Sequence, residues 1–128
     1  MRVTVNLSKA DKNLIIKLCK DPLLNSRKLV VRLAIALGLS KLVSGYNIVK
    51  NETGSESFRF NTKTVDPEDI FEVMAYFIIA KRMGASKNNK KIILASKEEL
   101  GETIGEAFLI GLQELPNFNY SNMINQNI

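Results

Sequence analysis

The sequence predicts a mostly α-helical domain with a short N-terminal strand and about four helices, ribbon-helix-helix-like in the order of its opening elements. Three observations lead there. Residues 2–7 alternate polar and apolar side chains strictly, which is the period of a half-buried strand. Four later stretches space their apolar residues at helical intervals. Each of these stretches is introduced by a capping residue, namely Ser8, Ser26, Asp66 and Ser96.

Taken in order, Arg2-Val3-Thr4-Val5-Asn6-Leu7 turns Val3, Val5 and Leu7 inward and Arg2, Thr4 and Asn6 outward. Ser8 with Asp11 forms a shortened capping box for a first helix. Its apolar stripe is Leu14, Ile15, Leu18 and Cys19, and Asp21-Pro22 ends it because the residue before proline is pushed out of the α region. Ser26 opens a second helix running to about Leu39, apolar around almost its whole circumference except at Arg27, Lys28 and Arg32. Such a helix needs neighbours on several sides, some of which a second subunit could supply.

Residues 44–65 read as a polar loop, with Phe58-Arg59-Phe60 as a brief extended segment holding it to the core. Asp66-Pro67 opens a third helix with proline at the first helical position. Its predicted buried face is Ile70, Phe71, Met74, Phe77 and Ile78, with Tyr76 also a core candidate, and Gly84 is its predicted terminator. A basic connector follows. Ser96 and Glu99 form a full capping box for a fourth helix with the apolar face Leu100, Ile104, Ala107, Phe108, Gly111 and Leu112, stopped by Pro116. Residues 1–116 are expected to form one domain, and the Asn-rich residues 117–128 to fray.

Composition narrows the chemistry. The chain of 128 residues has no histidine and one cysteine, which excludes zinc sites built from His and Cys and any triad with a histidine base. No apolar run approaches a membrane span and no secretory signal is read at the N-terminus, so a reducing, cytoplasmic location is expected. No metal, cofactor or catalytic role is predicted. Glu98, Glu99, Glu102 and Glu106 fall in the early turns of a helix, where acids favour the helix dipole, and Cys19 reads as core filler. Gly101 and Gly105 read as a site of close packing.

Charge is the most informative feature. Residues 1–50 carry ten Lys and Arg against two acids, a net of +8, whereas residues 51–128 carry eight against eleven, a net of −3. A basic half of this kind is the electrostatic footprint of a nucleic-acid binder. The candidate DNA-contacting residues are Arg2 on the strand, Lys9, Lys12, Lys17 and Lys20 on the first helix, Arg27 and Lys28 at the start of the second, and Lys87, Lys90 and Lys91 in the connector. The plain alternative for each lysine is a solvated surface, and for the strand a staple between subunits.

Several segments together resemble the DndE family of DNA sulfur modification proteins. They are the basic first helix, Val31-Arg32-Leu33-Ala34 running into Leu37-Gly38-Leu39-Ser40-Lys41, the polar loop with Gly54 and Phe58-Arg59-Phe60, Asp69-Ile70-Phe71, and Gly111-Leu112-Gln113-Glu114-Leu115. The resemblance covers residues 1–116. It implies a homotetramer that binds nicked double-stranded DNA through surface lysines, best matched here by Lys9, Lys12, Lys17 and Lys20, alongside other DNA sulfur modification proteins of a bacterial phosphorothioation system. Two other readings stand beside it. One is a dimeric ribbon-helix-helix repressor reading an operator with Arg2, Thr4 and Asn6. The other is an adaptor whose basic half meets an acidic protein.

Overall fold

The computed structural model describes residues 1–45, 54, 56–66, 68–82 and 96–117. The elements in chain order are β1 (Arg2–Leu7), α1 (Lys9–Cys19), α2 (Arg27–Val43), β2 (Glu56–Asn61), α3 (Thr62–Val65), α4 (Ile70–Arg82) and α5 (Lys97–Glu114), closed by a 3-10 turn at Leu115–Asn117. The chain is mostly helical, as the sequence predicts. Strand β1 buries Val3, Val5 and Leu7 and exposes Arg2, Thr4 and Asn6. Helix α1 enters through a complete capping box. The Asp11 N–H donates to Ser8 Oγ at 3.1 Å and the Ser8 N–H to Asp11 Oδ2 at 3.3 Å.

The centre of the fold is the crossing of α2 and α5. A Cβ added at Gly38 would sit 1.7 Å from the carbonyl oxygen of Ala107, and one at Gly111 would sit 1.6 Å from that of Ala34. Ala34 with Gly38, and Ala107 with Gly111, are therefore matching small-residue pairs one turn apart, and their cross-pairing sets the two helices antiparallel with their backbones in contact. Around this seam Val30, Ile35, Leu39, Ile104, Phe108 and Leu112 are completely buried. The neighbours that α2 requires come from its own chain, in α1, α3, α4 and α5. Gly105 receives β1 instead, since a Cβ there would lie 2.9 Å from Val5 Cγ1, whereas Gly101 meets only Met1 Sδ at 3.9 Å. Close packing is thus present at Gly105 and absent at Gly101.

Several boundaries differ from the sequence expectation. Helix α2 runs to Val43 rather than to about Leu39, because Leu39 and Leu42 both bury against the core and carry the helix through Gly38. It ends before Gly45, whose φ of +89° is a left-handed terminator. The expected loop holds two elements. One is the strand β2, longer than the Phe58-Arg59-Phe60 segment. The other is the single turn α3, capped by Asn61, whose side chain accepts from the Lys63 N–H at 3.0 Å.

Helix α4 begins at Ile70 rather than at Pro67. The expected proline position lies outside the described residues; the Asp69 N–H donates to the Asp66 carbonyl, and the buried Asp66 carboxylate caps the Phe71 and Glu72 N–H groups at 2.8 and 3.4 Å. The buried face also differs from the expected one. Phe71, Ala75, Ile78 and Ile79 are buried, whereas Ile70 and Phe77, both expected in the core, are 53% and 58% exposed. Tyr76 is exposed as well. At the entrance to α5 one bond of the expected capping box is present, from the Glu99 N–H to Ser96 Oγ. The Gly84 terminator, the basic connector and the tail beyond residue 117 lie outside the described residues.

Candidate nucleic-acid interface

Strand β1 pairs with β2 of the same chain, antiparallel, in the register Arg2↔Asn61, Thr4↔Arg59 and Asn6↔Ser57. The two strands thus make a two-stranded ribbon within the chain itself. The interleaved residues Val3, Val5, Phe58 and Phe60 face inward, where Phe58 stacks flat on Phe108 with ring centroids 5.4 Å apart. The six outward residues Arg2, Thr4, Asn6, Ser57, Arg59 and Asn61 are all exposed and all polar, with two arginines and no acid. The Thr62 N–H donates to the Met1 carbonyl, continuing the ladder and making 3↔60 and 5↔58 the hydrogen-bonded pairs. The backbone groups of Arg2, Thr4 and Asn6 consequently point to the edge away from β2.

Arg27, at the first turn of α2, belongs to the back of this ribbon. Its Nη2 donates to the Arg59 carbonyl at 2.8 Å and its guanidinium carbon lies 4.5 Å from the Phe58 ring centroid. The guanidinium thus ties α2 to β2 through a hydrogen bond and a cation–π contact, while the residue as a whole remains exposed. Lys28 beside it is exposed too, as is Lys63 just past the end of β2.

Helix α1 supplies the second basic surface. At 100° per residue, Lys9, Lys12, Lys17 and Lys20 fall within an arc of about 140°, opposite the buried Ile15 and Leu18. All four are exposed. Lys12 differs from the others because its Nζ sits 2.6 Å from Glu56 Oε2, which fastens α1 to the end of the ribbon and neutralises that charge. Lys9, Lys17 and Lys20 form no ion pair among the described residues. Arg2, Lys9, Lys12, Lys17, Lys20, Arg27 and Lys28 are therefore all at the surface, while Lys87, Lys90 and Lys91 lie outside the described residues.

Sequence reasoning missed Arg59 and Lys63, which the fold brings to the basic ribbon from the acidic half of the chain. The alternation of Ser57, Arg59 and Asn61 with Phe58 and Phe60 was the signal that could have placed Arg59 outward.

The buried polar side chains among the described residues are all hydrogen-bonded within the fold. Thr62 Oγ1 donates to the Met1 carbonyl, Thr103 Oγ1 to the Glu99 carbonyl, and Asp66 caps α4. Of the four glutamates at the start of α5, Glu98, Glu99 and Glu102 are exposed. Glu106 receives both Arg82 guanidinium nitrogens at 3.0 and 3.1 Å, and that hydrogen bonding raises the Arg82 pKa against the opposing effect of burial. Among the described residues no group of three or more His, Cys, Asp and Glu could hold a metal ion, and no helix is long and apolar enough to cross a membrane. No protein-family model, curated protein or solved structure matches this chain.

Proposed function

We propose that this chain is a non-catalytic DNA-binding accessory protein that grips duplex DNA, nicked duplex in preference, through its surface lysines and arginines. The observation that carries the reading is the outer face of α1, where Lys9, Lys17 and Lys20 project to solvent without an acidic partner among the described residues. Cations of this kind displace condensed counterions from phosphates, which gives affinity without base reading. A nick lowers the cost of bending, so more phosphates can reach a basic surface than on an intact duplex. Placement in a bacterial DNA phosphorothioation system, as an oligomer, rests on the resemblance carried by the chain's own residues.

Fluorescence anisotropy with intact and nicked duplexes of one sequence, at several salt concentrations, tests the reading. If about six phosphates are neutralised, log affinity should fall against log salt with a slope near −5. Charge reversal at Lys17 and Lys20 should weaken binding to every sequence alike. Absence of binding even at about 50 mM salt, where phosphate contacts are strong, defeats the proposal.

The ribbon favours one second reading, an operator-reading repressor. A two-stranded antiparallel ribbon fits the major groove, and Arg2, Asn6, Arg59 and Asn61 can all bond base edges. That reading predicts one preferred sequence, and loss of discrimination rather than of general affinity in Arg2→Ala or Arg59→Ala.

A further inference from the structure

The outward face of α4 is apolar along its length. Ile70, Val73 and Phe77 are 53%, 66% and 58% exposed, and Ala80 continues the line. Their spacing of three, four and three residues is that of a coiled-coil seam. At ordinary residue sizes these side chains leave on the order of 300 Å² of apolar surface in one stripe, the size at which an exposed patch marks an interaction site.

We infer that this stripe is the docking surface for α4 of a second copy of the chain, in antiparallel orientation about a two-fold axis. The ends of the helix select that occupant. Glu68 and Asp69 stand exposed at its N-terminal end and Lys81 at its C-terminal end, where the adjacent Arg82 is already held by Glu106 of its own chain. An antiparallel copy sets each acidic end against a basic one, and also opposes the two helix dipoles. With the axis near Ala75, Val73 lies against the partner's Phe77, Ile70 against the partner's Ala80, and Asp69 against the partner's Lys81. Large side chains then face smaller ones along the seam. Lys81 Nζ donates to the Val43 carbonyl at 3.1 Å, which leaves its charge available to an acid across the axis. A parallel copy would instead oppose acid to acid and base to base. The inference names a surface and an orientation, and it stands whether or not the chain binds DNA.

Two stripes bury about 600 Å² of apolar side chain, less than a standard stable interface, so the association should be weak and reversible. Sedimentation equilibrium of the full chain should show reversible, concentration-dependent self-association, and Phe77→Glu should weaken it at least about tenfold. Position 77 is exposed, so the variant should retain the wild-type circular dichroism spectrum. Orientation is read by oxidation in a Cys19→Ser background. A mixture of Val73→Cys and Phe77→Cys chains should cross-link to each other, and neither alone should cross-link efficiently. A monomer at all concentrations, association that survives Phe77→Glu, or efficient cross-linking of Val73→Cys to itself would each overturn the inference.

Discussion

The helix crossing at the centre of the fold makes opposite predictions for two glycines of the same helix. Gly101 and Gly111 both lie inside α5, and replacing either by alanine should gain up to about 1 kcal/mol of intrinsic helix propensity. At Gly101 the new methyl meets only the Met1 sulfur at 3.9 Å, so the gain should be realised. At Gly111 it would land 1.6 Å from the Ala34 carbonyl oxygen and 2.5 Å from its carbon. Those are backbone atoms of a helix, so α2 and α5 must part by more than 1 Å, roughly the shortfall from ordinary contact, along a seam whose flanking side chains are fully buried. Overpacking of this kind costs about 1–3 kcal/mol, and more where backbone must move. The expected outcome is a net loss of about 2 kcal/mol or more at Gly111 and a gain of at most about 1 kcal/mol at Gly101. In a thermal melt that corresponds to a fall of roughly 6–10 °C against a rise of roughly 3–4 °C. Gly38→Ala should resemble Gly111→Ala. The double variant should cost less than the sum, because one separation of the helices relieves both clashes. A Gly111→Ala protein at least as stable as wild type would refute the backbone contact on which the architecture rests.

Asp66→Ala removes the carboxylate that receives the Phe71 and Glu72 N–H groups. It should cost about 1–2 kcal/mol in urea denaturation, the usual loss for a helix cap. Arg27→Lys keeps the charge but surrenders the bond to the Arg59 carbonyl and the stacked guanidinium. Stability should fall by about 0.5–1 kcal/mol while DNA affinity stays within about twofold. For DNA binding itself, Lys9→Ala, Lys17→Ala and Lys20→Ala should each lower affinity on all sequences and reduce the salt slope by about 1. A loss confined to one sequence would instead favour the operator reading.

The local features were legible because their signals are local. Ser8 and Asp11 stand three residues apart and bond as their spacing predicts, and the alternation of residues 2–7 is the burial pattern of β1. What failed to show was set by distant partners. Nothing near Gly38 in the sequence indicates that the Ala107 backbone will lie against it at the centre of the core. The misread face of α4 has the same origin. Its residues are apolar on both sides, so periodicity alone leaves the rotation open, and packing against the distant α2 and α5 decides which side turns in.

Charge counted along the chain behaves in the same way. The excess in the first half would suggest that the second half dilutes any basic surface, yet the pairing of β1 with β2 draws Arg59 onto the same ribbon face as Arg2. The same pairing also brings Glu56 within reach of Lys12 and removes one lysine from the reckoning. Across the ribbon and α1, Arg2, Arg59, Lys9, Lys17 and Lys20 then stand exposed with no acid paired to them among the described residues. Five such charges suffice for a salt-sensitive grip on phosphates. Only the two arginines sit on an element shaped to enter a groove, and Arg59 has its backbone held from behind by Arg27. On the proposed reading general affinity would rest on α1, and on the operator reading discrimination would rest on the ribbon, so lysine variants of α1 and arginine variants of the ribbon should separate the two.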